Sequence, residues 1–279
     1  MRIGMTFGQL NPKYFLDAAI EADRLGFESA WLPEHLVFPV DIRGQLVPGE
    51  EHPPVPPSTP VFDACAYLSW IAAQTTQIRL GTFVYLLGLR HPFVGARAFA
   101  TLDVVSGGRA EVGIGAGWLL TEWDAAGLDP RSRGRRLDES IDVCKRLWTE
   151  DVVEHHGEFY DFGPVMFEPK PVQKPHPPVV IGGESDRALR RAARYCDGWI
   201  GMTHTPSTVA AQVKKLREYE AEEGRPDRPV AVTVMGKVDS KDDIERFADA
   251  GVSRLIVVPW ARSREAIDGM KRFADEYFS

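Results

Sequence analysis

The chain has 279 residues, 44% hydrophobic and 26% charged, an ordinary balance for a soluble globular protein, with no apolar run long enough to span a bilayer. Its length suits two small domains or one α/β barrel. A formal net charge of −7, with no basic stretch long enough to offset phosphate repulsion, argues against DNA or RNA as a partner.

Met1 leads directly into a first predicted strand, Arg2-Ile3-Gly4-Met5-Thr6-Phe7, without the basic, apolar and small-residue regions of a secretory leader. The expected location is cytoplasmic. Cys65, Cys144 and Cys196 suit that reducing setting, since they fall in helix-like segments at no metal-ligand spacing and read as small buried hydrophobes. A helix follows, with Asn11 as its cap, Pro12 in its first turn, Phe15, Ala18, Ala19 and Ala22 at helical spacing, and Gly26 at its end. The second strand is Glu28–Pro33. Residues 34–60, rich in Pro, Gly and charge, are too long for a simple connection and read as a lid over one end of the fold.

Further strands are expected over 78–86, 109–115, 178–182, 198–202, 230–235 and 254–259. Helical patterns separate them, including Val94/Ala98/Leu102/Val105, Ile141/Cys144/Leu147/Trp148 and Ala188/Leu189/Ala192/Ala193/Cys196. Residues 151–177, punctuated by Pro164, Pro169, Pro171, Pro175 and Pro177, read as an insertion between the fourth and fifth strands. About eight strand–helix units predict one (β/α)8 TIM barrel over residues 1–279. A doubly wound open sheet is the structural rival, although it normally has fewer units.

In a barrel, function belongs at the carboxyl ends of the strands. That rule selects Phe7, Glu34-His35, Phe83-Val84-Tyr85, Gly115-Ala116-Gly117-Trp118 and Gly182-Gly183-Glu184-Ser185. Gly113, Gly115 and Gly117 empty one strand face, where either a flat ligand or another stretch of backbone approaches closely. Their spacing departs from the Gly-x-Gly-x-x-Gly dinucleotide pattern and arrives at the fourth strand, so a Rossmann reading fails.

Glu34-His35 is the leading acid–base pair, with a satisfied polar pair at a loop start as its plain alternative. Gly182-Gly183-Glu184-Ser185 opens a helix, whose free amides attract a phosphate unless Ser185 is simply the cap. Arg131, Arg133, Arg135 and Arg136 form either a solvated face or a grip on an anionic cofactor tail. Trp31 and Trp70 read as core, whereas Trp118, directly after the glycine turn, can wall a pocket. Among the histidines, His155-His156 lie in the insertion, His52, His91 and His176 stand beside prolines, and His204 follows the sixth strand within reach of the pocket. With no His-x-His pair on the first strand, no metal is expected. Lys237, just past the seventh strand, leaves a Schiff-base aldolase as a rival class.

Taken together, Ala30-Trp31-Leu32-Pro33-Glu34-His35, Arg79-Leu80-Gly81-Thr82, His91-Pro92, the run from Leu102-Asp103 through Ser106-Gly107-Gly108-Arg109 to Gly117-Trp118, Pro169-Lys170-Pro171, Ile181-Gly182-Gly183 and Asp197-Gly198-Trp199 resemble the luciferase-like monooxygenase superfamily. The acidic–His pair, the proline-rich loop after it and the Gly-Ala-Gly-Trp turn are most similar to its branch that uses coenzyme F420, an 8-hydroxy-5-deazaflavin. The resemblance implies a barrel that holds the deazaflavin at the strand carboxyl ends. Hydride would pass between its C5 and a small, apolar organic substrate, with the protein supplying position and electrostatics.

By motif match, Glu34 would approach the cofactor ring and His35 would give or take a proton. The cofactor would lie among Phe7, Phe83, Val84, Gly115, Gly117, Trp118, Gly182, Gly183 and Ser185. A non-prolyl cis peptide is implied at Phe83–Val84. The sugar-phosphate dehydrogenases of this branch carry a catalytic glutamate directly after the glycine turn. Trp118 stands there in this chain, so glucose 6-phosphate is not the expected substrate, and Glu122 comes one turn late as a replacement. FMN-dependent monooxygenation is the alternative reading, a barrel that binds deazaflavin without catalysis is another, and a homodimer is expected from the resemblance alone.

Overall fold

The computed structural model describes residues 1–46, 55–225 and 227–278, and within them eight parallel strands close into a barrel. The staves are β1 (Arg2–Thr6), β2 (Ser29–Leu32), β3 (Arg79–Thr82), β4 (Ala110–Ile114), β7 (Val179–Gly182), β8 (Gly198–Thr203), β9 (Ala231–Met235) and β10 (Arg254–Val257). They run round the barrel in chain order, and β10 pairs with β1 to complete the ring. Closure leaves no unpaired sheet edge, and both strand faces are covered, which is why the strands read as nearly continuous small and β-branched apolar runs.

The outer layer contains α1 (Phe15–Leu25), α2 (Ala64–Ala72), α3 (Pro92–Val105), α4 (Leu120–Ala125), α5 (Arg133–Thr149), α6 (Asp186–Tyr195), α7 (Pro206–Glu222), α8 (Lys241–Asp249) and α9 (Ala266–Tyr277). The expected insertion is present. After α4 and α5, β5 (Val153–His156) and β6 (Asp161–Val165) form a separate antiparallel hairpin before the chain rejoins the barrel at β7. Glu139 of α5 ties the hairpin down by accepting the backbone N–H of Tyr160 at 2.9 Å, with His155 Nε2 at 3.0 Å from the same carboxylate.

Several local expectations shift. Asn11 caps a short 3-10 turn over Pro12–Tyr14, one turn ahead of α1. The third strand is shorter than expected: β3 ends at Thr82, Phe83–Val84 is cis, and Tyr85 meets β4 again only through an isolated bridge to Ile114. The helix expected from Val94/Ala98/Leu102/Val105 is present as α3, but of that set Val94 and Val105 are exposed, while Gly95, Ala96, Phe99 and Leu102 are buried. This helix is apolar on most of its circumference, so periodicity marks its burial poorly. Trp70 is also on the surface at 49% exposed, because α2 turns Cys65, Leu68, Ile71 and Ala72 inward. Cys65, Cys144 and Cys196 are buried free thiols, as read, and burial pushes the Cys196 thiol up to about 12.

Inside the barrel, Trp31, Val180, Ile200, Met235 and Ile256 pack as one cluster, with Phe83 and Val84 against it. Gly81 makes room for the indole of Trp31, since a Cβ there would lie 2.5 Å from its ring carbons. The amino-terminal end of the barrel is closed by charge. Arg254 meets Glu28 at 2.7 Å and Glu111 at 3.0 Å, and Arg79 meets the same Glu111 oxygen at 2.5 Å. Burial acts to raise the Glu28 carboxyl, yet the hydrogen bond and charge of Arg254 hold it below the usual range. Such a network offsets its desolvation cost only because each charge has a partner, and it lies at the opposite end from the strand carboxyl termini.

Candidate active site

The loops after β1, β2, β3, β4 and β7, with the last residues of β8 and β9, surround a cavity of about 1210 Å³ at the carboxyl end of the barrel. Its place is that of a ligand pocket in this architecture. Of the residues singled out from the sequence, Glu34, His35, Phe83, Val84, Gly115, Gly117, Trp118, Gly182, Gly183 and Ser185 all line it. Phe7 does not. It is 1% exposed and packs on Phe15 at 4.9 Å between barrel and helix, so the pocket wall from the first loop is Gly8, Gln9 and Phe15 instead.

His35 stands at the end of β2. Its Nδ1 lies 2.8 Å from Oε2 of Glu122 in α4, a carboxylate with no solvent exposure. The other oxygen of Glu122 accepts the backbone N–H of Leu36 at 2.5 Å and of Val37 at 3.2 Å. The imidazole is flanked by Phe38, with ring centroids 4.5 Å apart, and by Trp118 edge-on at 5.7 Å. Sequence spacing had set Glu122 aside as one turn too late. The available signal was a lone carboxylate inside the apolar stretch Leu119-Leu120-Thr121-Glu122-Trp123, on the buried side of a short helix.

Glu34 lines the cavity and is also held by a partner of its own. Its carboxylate meets Arg90 Nη2 at 2.5 Å and accepts the backbone N–H of Leu86 at 2.9 Å, while the Arg90 guanidinium stacks over Tyr85 at 4.3 Å. Burial works against the charge of Arg90, but Glu34 raises its pKa above the usual value. Glu34 thus braces the chain that follows the cis peptide. Sequence reasoning passed over Arg90, which no motif marks.

The glycine-rich strand makes room for backbone and for one side chain. A Cβ at Gly113 would collide with the carbonyl of Thr82, whose hydroxyl donates to Gly113 O at 2.5 Å. A Cβ at Gly115 would sit 2.5 Å from one methyl of Val84, and one at Gly182 would sit 2.7 Å from the other. Val84 therefore fills the space beside both glycines and forms the apolar floor of the cavity. Another chain segment makes the close approach at Gly113 and Gly115, and Gly115 and Gly117 also line the cavity.

At the start of α6, Ser185 accepts the N–H of Ala188 at 3.3 Å and is the helix cap. Glu184 accepts the N–H of Met202 at 2.6 Å and faces His204 at 3.1 Å, so His204 stands behind the wall and is not a lining residue. Arg133, Arg187 and Arg191 line the same end of the cavity. Arg191 is paired with Asp138 at 3.0 Å, and Arg133 donates to the carbonyl of Pro130 at 2.8 Å. Only Arg133 of the sequence's basic patch reaches the cavity. Arg131 pairs with Asp129 and Arg135 with Glu158 on the surface.

The loop after β2 is anchored where it is described. Leu120 N–H donates to Arg43 O at 2.7 Å, Arg43 meets Asp124 at 2.6 Å, and Gly44 pairs with Leu119. Its return limb lines the cavity through Val55, Thr59 and Phe62. Residues 47–54, His52 among them, lie outside the described residues. Lys237 is exposed and paired with Asp239 at 2.7 Å, which gives a Schiff-base reading no buried amine. Among the described residues there is no cluster of His, Cys, Asp or Glu suited to a metal ion, and no helix long and apolar enough to cross a membrane.

Comparison with known proteins agrees with this architecture. The family model described as luciferase-like monooxygenase matches residues 2–256. An uncharacterized protein of Mycobacterium tuberculosis is 34% identical over 86% of this chain and 84% of its own length. The F420-dependent glucose-6-phosphate dehydrogenase of Kineococcus radiotolerans is 30% identical over 96% of this chain and 77% of its own. The FMNH(2)-dependent dimethylsulfone monooxygenase of Pseudomonas putida is 36% identical over 64% of this chain and 48% of its own.

Among solved structures, the coenzyme F420-dependent tetrahydromethanopterin reductase of Methanopyrus kandleri superposes with a TM-score of 0.77 over 99% of this chain and 98% of its own, at 18% identity. A monooxygenase from Streptomyces bottropensis does so with a TM-score of 0.76 over 100% and 99%, at 21% identity. At those identities the structures speak for the fold. The chain belongs to the luciferase-like monooxygenase family.

Proposed function

We propose that this protein is an F420-dependent oxidoreductase acting on a small, apolar organic molecule. The observation that carries the reading is His35, an imidazole held on a buried carboxylate at the rim of an apolar cavity of about 1210 Å³, in a chain that aligns over most of its length with an F420-dependent relative.

The residues present fit a tricyclic coenzyme with an anionic tail. Val84 and the side-chain-free Gly115 and Gly182 offer a smooth apolar floor, and Phe83 and Trp118 offer walls. Arg133 and Arg187, with the amides at the start of α6, offer cationic and donor groups toward the tail. When bound, the coenzyme supplies hydride transfer. His35 would hold or release a proton at Nε2 beside the substrate, a role general acid–base groups fill when they sit within hydrogen-bond reach of the reacting atom. Phe15, Phe38, Phe62, Val61 and Leu46 also line the cavity and would exclude water around an apolar substrate.

A second reading, FMN-dependent monooxygenation, is favoured by the 36% identity to the dimethylsulfone enzyme. Titration of the purified protein with F420 and, separately, with FMN under the same conditions separates the two. Quenching of deazaflavin fluorescence at micromolar coenzyme with weak FMN binding is the expected result. Tight FMN binding without F420 binding overturns the order.

A further inference from the structure

We infer that Glu122 is the positioning residue that sets the tautomer of His35, holding the proton on Nδ1 and leaving Nε2 as a lone-pair acceptor toward the cavity. The inference rests on the reading of His35 as the acid–base group, and it names what that reading lacks, a reason for the imidazole to present one particular edge.

The argument follows from donor and acceptor inventory. Glu122 has no solvent exposure, and both of its oxygens are committed. Oε1 accepts two backbone N–H groups, from Leu36 and Val37 at 2.5 and 3.2 Å, so nothing else need be donated there. Oε2 lies 2.8 Å from His35 Nδ1. An ionised carboxylate offers only lone pairs, so in the neutral imidazole the shared hydrogen must belong to Nδ1. Nε2, on the opposite edge of the ring, has no partner among the described residues, and His35 lines the cavity.

The same carboxylate fixes ring rotation by grasping the backbone one and two residues beyond the histidine. Phe38 on one face and Trp118 at the edge limit the remaining freedom. A histidine oriented through its second nitrogen by a carboxylate is a common way to fix both tautomer and aim, and losing such a partner typically costs 10–100-fold in function.

Glutamine at this position makes a sharp test because it keeps the size and inverts one hydrogen bond. If the amide oxygen stays on the Leu36 and Val37 donors, the NH2 group must point at Nδ1, and only the Nε2–H tautomer accepts it. The measurement is the long-range 15N–1H correlation pattern of the neutral His35 ring in histidine-labelled protein without coenzyme, assigned by its disappearance in His35→Gln. The wild-type protein is expected to show a protonated Nδ1 and a pyridine-like Nε2, and Glu122→Gln the reverse. Glu122→Asp, which keeps the charge, is expected to retain the wild-type tautomer.

A wild-type ring protonated at Nε2 overturns the proposal without any variant, and so does an unchanged pattern in Glu122→Gln. With coenzyme and a turned-over substrate, Glu122→Gln is expected to lower kcat about 10–100-fold with KM little changed, and Glu122→Asp to recover part of it. If the tautomer inverts as expected while turnover is unaffected, the assignment of His35 as the acid–base group fails and the role of Glu122 in setting its tautomer stands.

Discussion

Glu34 and Arg90 meet at 2.5 Å at the wall of the cavity, and the same carboxylate accepts the backbone N–H of Leu86. The acidic member of the Glu34-His35 pair is thus a brace for the segment that carries Phe83 and Val84, while its neighbour lines the pocket beside Trp118. Both of these adjacent residues after β2 line the cavity, and each finds a partner from a distant part of the chain.

Removing Arg90 strands a carboxylate whose side chain is 1% exposed. Arg90→Leu is expected to lower unfolding free energy by about 3–5 kcal/mol, the usual result of breaking a buried pair from one side. Glu34→Gln/Arg90→Leu, which leaves no buried charge and keeps an acceptor for Leu86 N–H, is expected to recover about half of that loss or more. Urea unfolding followed by tryptophan fluorescence checks both. A double variant no more stable than Arg90→Leu contradicts the brace.

Val84 and the two glycines it fills form a coupled set. Gly115→Ala and Gly182→Ala each drive a methyl into Val84, and each is expected to cost about 1–3 kcal/mol through overpacking. Val84→Ala removes the obstacle, so either alanine should cost clearly less in that background. A double-mutant cycle on thermal or urea stability reads the coupling, and additive costs would show that the side chains do not meet as described.

His35→Ala is expected to reduce turnover about 10²–10⁴-fold, the range for loss of a general acid–base group. Coenzyme affinity from fluorescence titration should change little, because the floor and the arginine end of the cavity are untouched. A variant that turns over at the wild-type rate removes His35 from the chemistry.

Asp23 provides a pH test of stability. Its carboxylate accepts the N–H groups of Thr76, Gln77 and Ile78 at 2.9, 2.8 and 2.6 Å. Burial raises its pKa, but these bonds outweigh it and hold the carboxyl below the usual range. A depressed carboxyl contributes stability that is present above its unfolded value, about 3.9, and is lost as pH falls through the folded one. Asp23→Asn is expected to be about 1–3 kcal/mol less stable at pH 7, with the gap to wild type closing as pH drops below about 4. A gap constant from pH 7 to pH 3 rules this out.

Much of the barrel was legible because its signals are local. Alternating strand and helix periods, the Gly26 helix stop, and the Ala188/Leu189/Ala192/Ala193 stripe each depend on residues a few positions apart. The errors came where burial exceeds what one helical face implies, as in α3, or where an aromatic sits opposite the buried stripe, as Trp70 does. Phe7 was selected by its place at a strand end, yet a side chain just past the last paired residue can turn either way, and Phe15 drew it into the outer layer.

From order and composition alone, the chain specified an eight-stave barrel, the end at which its cavity lies, and most of the loops that line it, since strand polarity and periodicity follow from neighbouring residues. Only the folded molecule decided which partners those side chains take: Glu122 for His35 across 87 positions, Arg90 for Glu34 across 56, and Val84 for the glycines of two other strands. Hydrogen bonds and van der Waals contacts act over a few ångströms, and no sequence interval encodes that distance until the barrel has closed.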